Sequence, residues 1–315
     1  MLHSALEKFL KKRVFNRAGS LVLISMFGFL TTAEGEDYAA RFKQLQDQKA
    51  PGEQIDSLLD EWRAKQSDDP NAWITSANYY FNQSVGPMIS REPAKKGEFG
   101  LTDQKTGKTM GSISMKPGVV KTSRDPKAIL QEATAKFPDR LDMWCGLAFM
   151  NQEFGDFDNE LTTLKKMVAY AREHPTQLKW LKGEPIDEPE DKFIPEKLHG
   201  YGFYYEKKEN AEDDKRWFQI SSLATEKYPN HPEGFNDSAA YYADEGDWKK
   251  ARELFEKAHQ LDPKSAGPLM NLGNVCVEAK DPASARKYFE DALKLEPNGP
   301  MADEAKQALA KLKKK

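Results

Sequence analysis

From residue 232 onward the chain falls into register with itself at a spacing of 34 residues. Phe235, Ala251, Phe255, Ala258 and Pro263 are followed, 34 positions on, by Leu269, Ala285, Phe289, Ala292 and Pro297. Such a period restricts the fold strongly, because one unit of this length buries too little apolar surface alone and must stack on its neighbours. The residue types suit two antiparallel helices per unit. Ala251 and Ala258, like Ala285 and Ala292, let the two helices approach, and Phe255 and Phe289 fill the space between them. Gly246-Asp247 and Lys280-Asp281 make the turn inside each hairpin, and Pro263 and Pro297 end the second helices because proline cannot continue them.

Leu272-Gly273 sits in the first helix of the second of these units, and the small pair Ser238-Ala239 stands in that place one unit earlier. The whole arrangement strongly resembles the tetratricopeptide repeat, in which a large apolar residue, Leu-Gly and a second large residue mark one helix and Ala, Phe, Ala and Pro mark the next. The resemblance implies an all-α fold, a TPR-like α-solenoid of about five helix hairpins wound as a right-handed superhelix. Read backward, the pattern decays but persists. Leu198, Gly202 and Tyr205, then Trp217, Ala224 and Pro229, give a unit over 196–229 that precedes those at 232–263 and 266–297. Trp144, Ala148 and Asn151 open a degenerate unit over 141–174, in which Gly155-Asp156-Phe157 repeats the turn at Gly246-Asp247-Trp248 and Glu160 replaces a small residue, predicting a splayed or shifted hairpin. Trp73, Ala77 and Tyr80 open another over 71–138, whose second helix falls at 127–137. Ile55, Leu58, Leu59 and Trp62 predict a covering helix within a helical segment over 34–70, and Ala305, Ala308, Leu309 and Leu312 predict a polar-backed capping helix over 300–315. Residues 175–195, with Pro175, Pro185, Pro189 and Pro195 among acidic side chains, read as a linker.

The first of these units is split by an insertion, 86–124, containing EFGLTDQKTGKTMGSIS at 98–114. Gly107-Lys108-Thr109 resembles the end of a phosphate-binding loop, but Thr102 stands where that loop needs glycine and no helix start follows. A β-hairpin fits instead: Phe99 and Leu101 on one strand, Gly111, Ile113 and Met115 on the other, and a turn at 103–108 with Gly107 at its close. The apolar face of this hairpin is expected against the helices of the first two units. Between Arg91 and Lys127 nine Lys or Arg face four Asp or Glu, so the insertion is locally basic, either as a solvated rim or as an electropositive lip over a groove.

Over the whole chain, 47 Lys and Arg nearly balance 50 Asp and Glu, which argues against a nucleic-acid partner. Five basic residues, Lys8, Lys11, Lys12, Arg13 and Arg17, precede an uncharged run of 13 residues, AGSLVLISMFGFL, with Thr31 and Ala33 beyond it. That is the layout of an export signal over 1–33, shorter than the roughly 20 residues of a spanning helix. Export, to a periplasm, is the expected location, with envelope association; an uncleaved signal that anchors the chain in the membrane is the alternative. Cys145 and Cys276 fall in units too far apart to bridge, so two buried thiols are expected. His3, His174, His199, His231 and His259 show no paired ligand spacing, and no nucleophile motif stands out, so no metal, cofactor or catalytic residue is predicted.

In proteins that the chain resembles, the first helices of successive units line a concave groove that holds a peptide or protein partner. Transferred by register, the groove positions are Ile74, Asn78 and Phe81; Cys145, Phe149 and Gln152; His199 and Phe203; Asn236, Ala240 and Asp244; and Met270, Asn274 and Glu278. Asn236 and Met270 occupy the places where carboxylate-gripping family members carry lysine, which argues against that mode. The expected function is a non-catalytic interaction scaffold. A membrane-tethered assembly factor and an accessory enzyme built on residues 91–121 are the alternatives.

Overall fold

The structure, a computed structural model, describes residues 37–91, 94, 99–102, 109–206 and 211–312. Residues 1–33, read above as a signal, and the expected turn at 103–108 lie outside the described residues. Those described form 13 α-helices, one short 3-10 turn and a three-stranded sheet. No helix among them is long and apolar enough to cross a membrane. The described residues divide into two compact units, one holding those up to Tyr170 together with Gln177–Pro185, the other Ala171–Thr176 and those from Ile186 onward.

The first unit is built on α1 (Tyr38–Asp47), α2 (Gly52–Lys65), α3 (Pro70–Gln83), α4 (Pro126–Lys136), α5 (Leu141–Glu153) and most of α6 (Phe157–Glu173). Asp37, Asp69 and Asp125 cap the first, third and fourth of these by accepting from backbone N–H groups of Ala40, Asn71 and Lys127, and Pro70 and Pro126 occupy first-turn positions where no N–H is needed. Successive helices pack in chain order from α1 to α5. Their apolar stripes meet in one core that includes Tyr38, Leu59, Trp62, Ala77, Tyr80, Ala133 and Leu147. The hydroxyl of Tyr80, otherwise buried there, donates to Asp56 at 3.0 Å.

The second unit stacks α7 (Glu190–Glu206), α8 (Ala211–Lys227), α9 (Pro232–Asp244), α10 (Trp248–Leu261), α11 (Gly267–Glu278), α12 (Pro282–Leu295) and α13 (Pro300–Leu312). Each packs on the next, and α7, α9 and α11 also contact one another in turn. The 34-residue period is visible in individual hydrogen bonds. Asp247 N–H donates to Tyr242 O and Asp281 N–H to Cys276 O, both at 2.8 Å. In both turns the preceding residue is left-handed, Gly246 at φ 78° and Lys280 at φ 58°, and the aspartate side chain then caps the next helix through Lys250 N–H or Ser284 N–H. The same turn recurs in the first unit, where Asp156 N–H donates to Asn151 O at 2.8 Å after Gly155 at φ 74°. Ala251, Ala258, Ala285, Ala292, Phe255 and Phe289 are all buried, and α13 lays Ala305 with Met301 and Ala308 against this core and closes its end. Cys145 and Cys276 are buried, one in each unit, and neither is in a disulfide.

The insertion differs from the reading of it in two ways. Its hairpin, β2 (Phe99–Thr102) paired with β3 (Thr109–Lys116), gains a third strand, β1 (Gly86–Ser90), on the other edge of β3. Pro87 is tolerated there because β1 is an edge strand with one side unpaired. The apolar face, moreover, is only partly covered. Ile89, Ile113 and Phe99 stand in one cross-strand row, yet Ile89 is 71% and Phe99 37% exposed, while the buried positions of β3 are Gly111, Ser112 and Ser114. The sheet is tied down on one side. Its exit segment is fastened at the end of α3, where Val120 N–H donates to Ser84 O and Gly118 N–H to Ser84 Oγ. Of the nine basic residues, Arg124 is engaged by Asp60 on α2 and Lys127 by Asp156 in the turn before α6.

The span 175–195 is likewise less of a linker than its prolines suggest. Leu178 is buried, and Lys179 exchanges backbone hydrogen bonds with Asp139 and Leu141, so 177–185 is part of the first unit. Helix α7 already begins at Glu190, and Pro195 lies inside it. Proline there keeps a helical φ and forgoes a single backbone bond in the second turn.

Candidate functional site

The register-derived groove positions fall into two sets, one per unit. In the first unit Ile74 and Cys145 are buried in the core, and Asn78 is half-buried. Phe81 closes on Phe149 and Phe154, with ring centroids 5.7 and 5.9 Å away. Gln152 is buried, and its amide donates to Glu160 at 2.7 Å. Glu160, in the place of a small repeat residue, is fully buried, and this bond answers its carboxylate. Gln152 therefore serves the hairpin and is withdrawn from any partner, which corrects its assignment to the groove.

In the second unit the positions lie on α7, α9 and α11, the three helices that run side by side. Phe203 on α7, Asp244 on α9, and Asn274 and Glu278 on α11 reach the surface, with Phe203 at 39%. Ala240 is half-buried. Met270 is buried in the core beside Leu269 and Leu272 and is not a wall residue. Its neighbour Asn271 takes that role, donating its amide to Asn236 Oδ1 across α9 and α11 at 3.1 Å. Behind the wall, Phe218 stacks on Tyr241 at 4.4 Å and meets Tyr242 edge-on. Burial first, and then the charges of Asp214 and Glu245, push the Asp244 carboxyl above its ordinary range.

A polar cluster lies between α7 and α9. His199 Nδ1 on α7 stands 2.8 Å from Asp237 Oδ2 and 3.8 Å from Glu233 Oε2, both on α9. Burial raises the Asp237 carboxyl, against hydrogen bonds from His199 and Asn236 that lower it; Glu233 is also raised by burial, with His199 opposing. His199 also packs its ring 5.8 Å from that of Phe203. A search for paired histidines misses this set, since it holds one histidine and two carboxylates from different repeats. The signal in the sequence is Glu233 and Asp237 four residues apart on one helix face, with a histidine one repeat earlier.

Residues 242–313, from the end of α9 through α13, match a family model described as tetratricopeptide repeat. No curated protein matches the chain. Among solved structures it is similar to YrrB, described as a TPR protein with an unusual peptide-binding site, at 13% identity over 79% of this chain and 97% of that one, TM-score 0.41. It is similar also to the Sgt2 TPR domain from Aspergillus fumigatus, at 25% identity over 38% of this chain and 77% of that one, TM-score 0.35. The TPR2B domain of yeast Sti1 in complex with pHsp70 matches at 21% identity over 38% and 96%, TM-score 0.35.

Proposed function

We propose that this chain, which carries tetratricopeptide repeats, is a non-catalytic scaffold of the cell envelope that holds an extended segment of a partner protein along α7, α9 and α11. One observation carries the reading: three adjacent first helices present an exposed aromatic ring, Phe203, together with Asp244, Asn274 and Glu278. Asparagine there supports main-chain hydrogen bonds from an extended peptide, and the two carboxylates, with no Lys or Arg among the wall positions named, suit a segment bearing Lys or Arg. A guanidinium or ammonium over the Phe203 ring adds a cation–π contact. The envelope location is supported by the basic and apolar N-terminal stretch.

The test is photocrosslinking in the native host from a photoreactive residue at Phe203, with Glu253 on α10 as control position, followed by binding of the captured segment by fluorescence anisotropy. Expected is capture at 203 alone, and binding weakened several-fold by Phe203→Ala or Asp244→Lys and by salt. Equal capture at both positions, or binding indifferent to both substitutions, refutes the groove. N-terminal sequencing of the mature chain separates cleavage near residue 33 from a retained membrane anchor. Turnover that disappears on deletion of 91–121 would establish the enzymatic alternative.

A further inference from the structure

Glu233 and Asp237 project from one face of α9, a single turn apart, and His199 reaches them from α7. The three donor atoms lie within 4.8 Å of one another. Asp237 has a side chain only 4% exposed, whereas those of His199 and Glu233 are 36% and 39% exposed, so the cluster is closed at its base and open toward solvent. A single imidazolium supplies one positive charge to two carboxylates. A divalent ion supplies two, and leaves the imidazole neutral, as a ligand must be.

From this arrangement we infer that His199, Glu233 and Asp237 form a site for a first-row divalent transition ion of the zinc type, bridging the first helices of two consecutive hairpins. Tetrahedral coordination at about 2.0–2.1 Å places neighbouring donor atoms about 3.3 Å apart. The separations of 2.8 and 3.8 Å from the imidazole nitrogen fall on either side of that value, and all three donor pairs lie within 4.8 Å, so side-chain adjustments of roughly 0.5–1.5 Å bring the donors around one ion. Beside the ligands, Asn236 accepts a hydrogen bond from Asn271 at 3.1 Å, which ties α9 to α11 next to Asp237. Three protein ligands leave the fourth position facing the solvent-exposed side, for water or a donor from a partner. The donor set selects against other ions as well, since imidazole favours zinc, cobalt and nickel, while magnesium and calcium prefer oxygen alone.

The experiment uses the full chain, stripped with a chelator, dialysed, and titrated with ZnCl2 by calorimetry, with thermal unfolding in parallel. Expected is uptake of a single Zn2+ through these residues, an unfolding midpoint that rises with ion concentration, and no such rise with Mg2+ or Ca2+. Glu233→Gln and His199→Gln each weaken uptake at least about ten-fold, and Co2+ in place of Zn2+ gives the visible absorption of tetrahedral coordination. Glu233→Gln lies at the open side of the cluster and keeps the test valid should Asp237→Asn fail to fold. Absence of saturable uptake, equal responses to Mg2+ and Zn2+, or uptake unchanged in the Glu233→Gln/His199→Gln double variant overturns the assignment.

Discussion

Gly273→Ala tests the packing on which the second unit depends. A Cβ built on Gly273 lies 2.4 Å from Cε1 of Phe289 and 2.6 Å from its Cδ1, where carbons in contact stand about 3.5–4.0 Å apart. The ring would have to withdraw by roughly 1 Å. It is fully buried, with Ala285 and Ala292 on its own helix in the same core, so no solvent-facing path is open to it. Two effects then compete. Alanine favours a helix interior by about 1 kcal/mol over glycine, and overpacking a filled core costs about 1–3 kcal/mol. A clash this deep against an immobile ring belongs near the upper end, giving a net loss of about 1–2 kcal/mol. Gly267→Ala, on the same helix, meets only Ser265 Oγ at 3.6 Å and is expected to be neutral or slightly stabilising. Urea unfolding followed by far-ultraviolet circular dichroism reads the difference, together with a cycle that adds Phe289→Leu. In that cycle the leucine substitution costs less in the Gly273→Ala background than beside the native glycine, by about 0.5 kcal/mol or more. If Gly273→Ala is as stable as Gly267→Ala, the ring is not what requires glycine, and the close-approach argument for the whole repeat fails.

Three further outcomes follow from the same structure. Arg140 and Asp142 form a buried pair with contacts of 2.9 and 2.6 Å, so Asp142→Ala leaves a buried guanidinium unanswered and costs about 3–5 kcal/mol in denaturant unfolding, more than replacing both residues by apolar ones. Hydrogen bonds from Lys127 and then Asn159 hold the Asp156 carboxyl below its ordinary 3.8; the unfolded chain therefore binds that proton more readily, and the stabilisation, complete above the unfolded value, is lost as pH falls through the depressed folded one. Asp156→Asn should flatten the acid limb of a stability profile, and an unchanged limb would count against the assignment. A double-mutant cycle on Asn236 and Asn271 should show coupling of about 0.5–1 kcal/mol, whereas Asn236 with Met270 should show none.

The hairpins of the second unit were legible in the sequence because their determinants are local or strictly periodic. Ala251, Phe255, Ala258 and their partners 34 residues on needed only a period, and Gly246 and Lys280 needed only turn chemistry. The insertion was legible only in part. Alternation revealed β2 and β3, but β1 contains Pro87 and reads as loop until β3 pairs with it. Its burial could not be read at all, since the apolar row Ile89, Ile113 and Phe99 would be buried in any sheet laid flat on helices. Nor does alternation encode the long-range tether from Val120 and Gly118 to Ser84.

The wall of the second unit failed in one consistent direction, and the reason is geometric. Aligning repeats by their core residues pairs Leu198 with Phe235, 37 residues on, and Phe235 with Leu269, 34 residues on. Across the wall, however, His199 meets Asp237 at a separation of 38, and Asn236 meets Asn271 at 35. Both wall contacts run one residue beyond the core register. Core residues face the partner helix of their own hairpin, while wall residues face the first helix of the next, and the two directions are related by a rotation about the helix axis that one residue step of about 100° shifts noticeably. Register transfer therefore chose Met270, which belongs to the core, and passed over Asn271; by the same slip it saw His199 opposite Asn236 and overlooked Asp237, a buried carboxylate on that wall. A repeat alignment that counts one residue further for wall contacts recovers both pairs, and with them the cluster that the second unit places between α7 and α9.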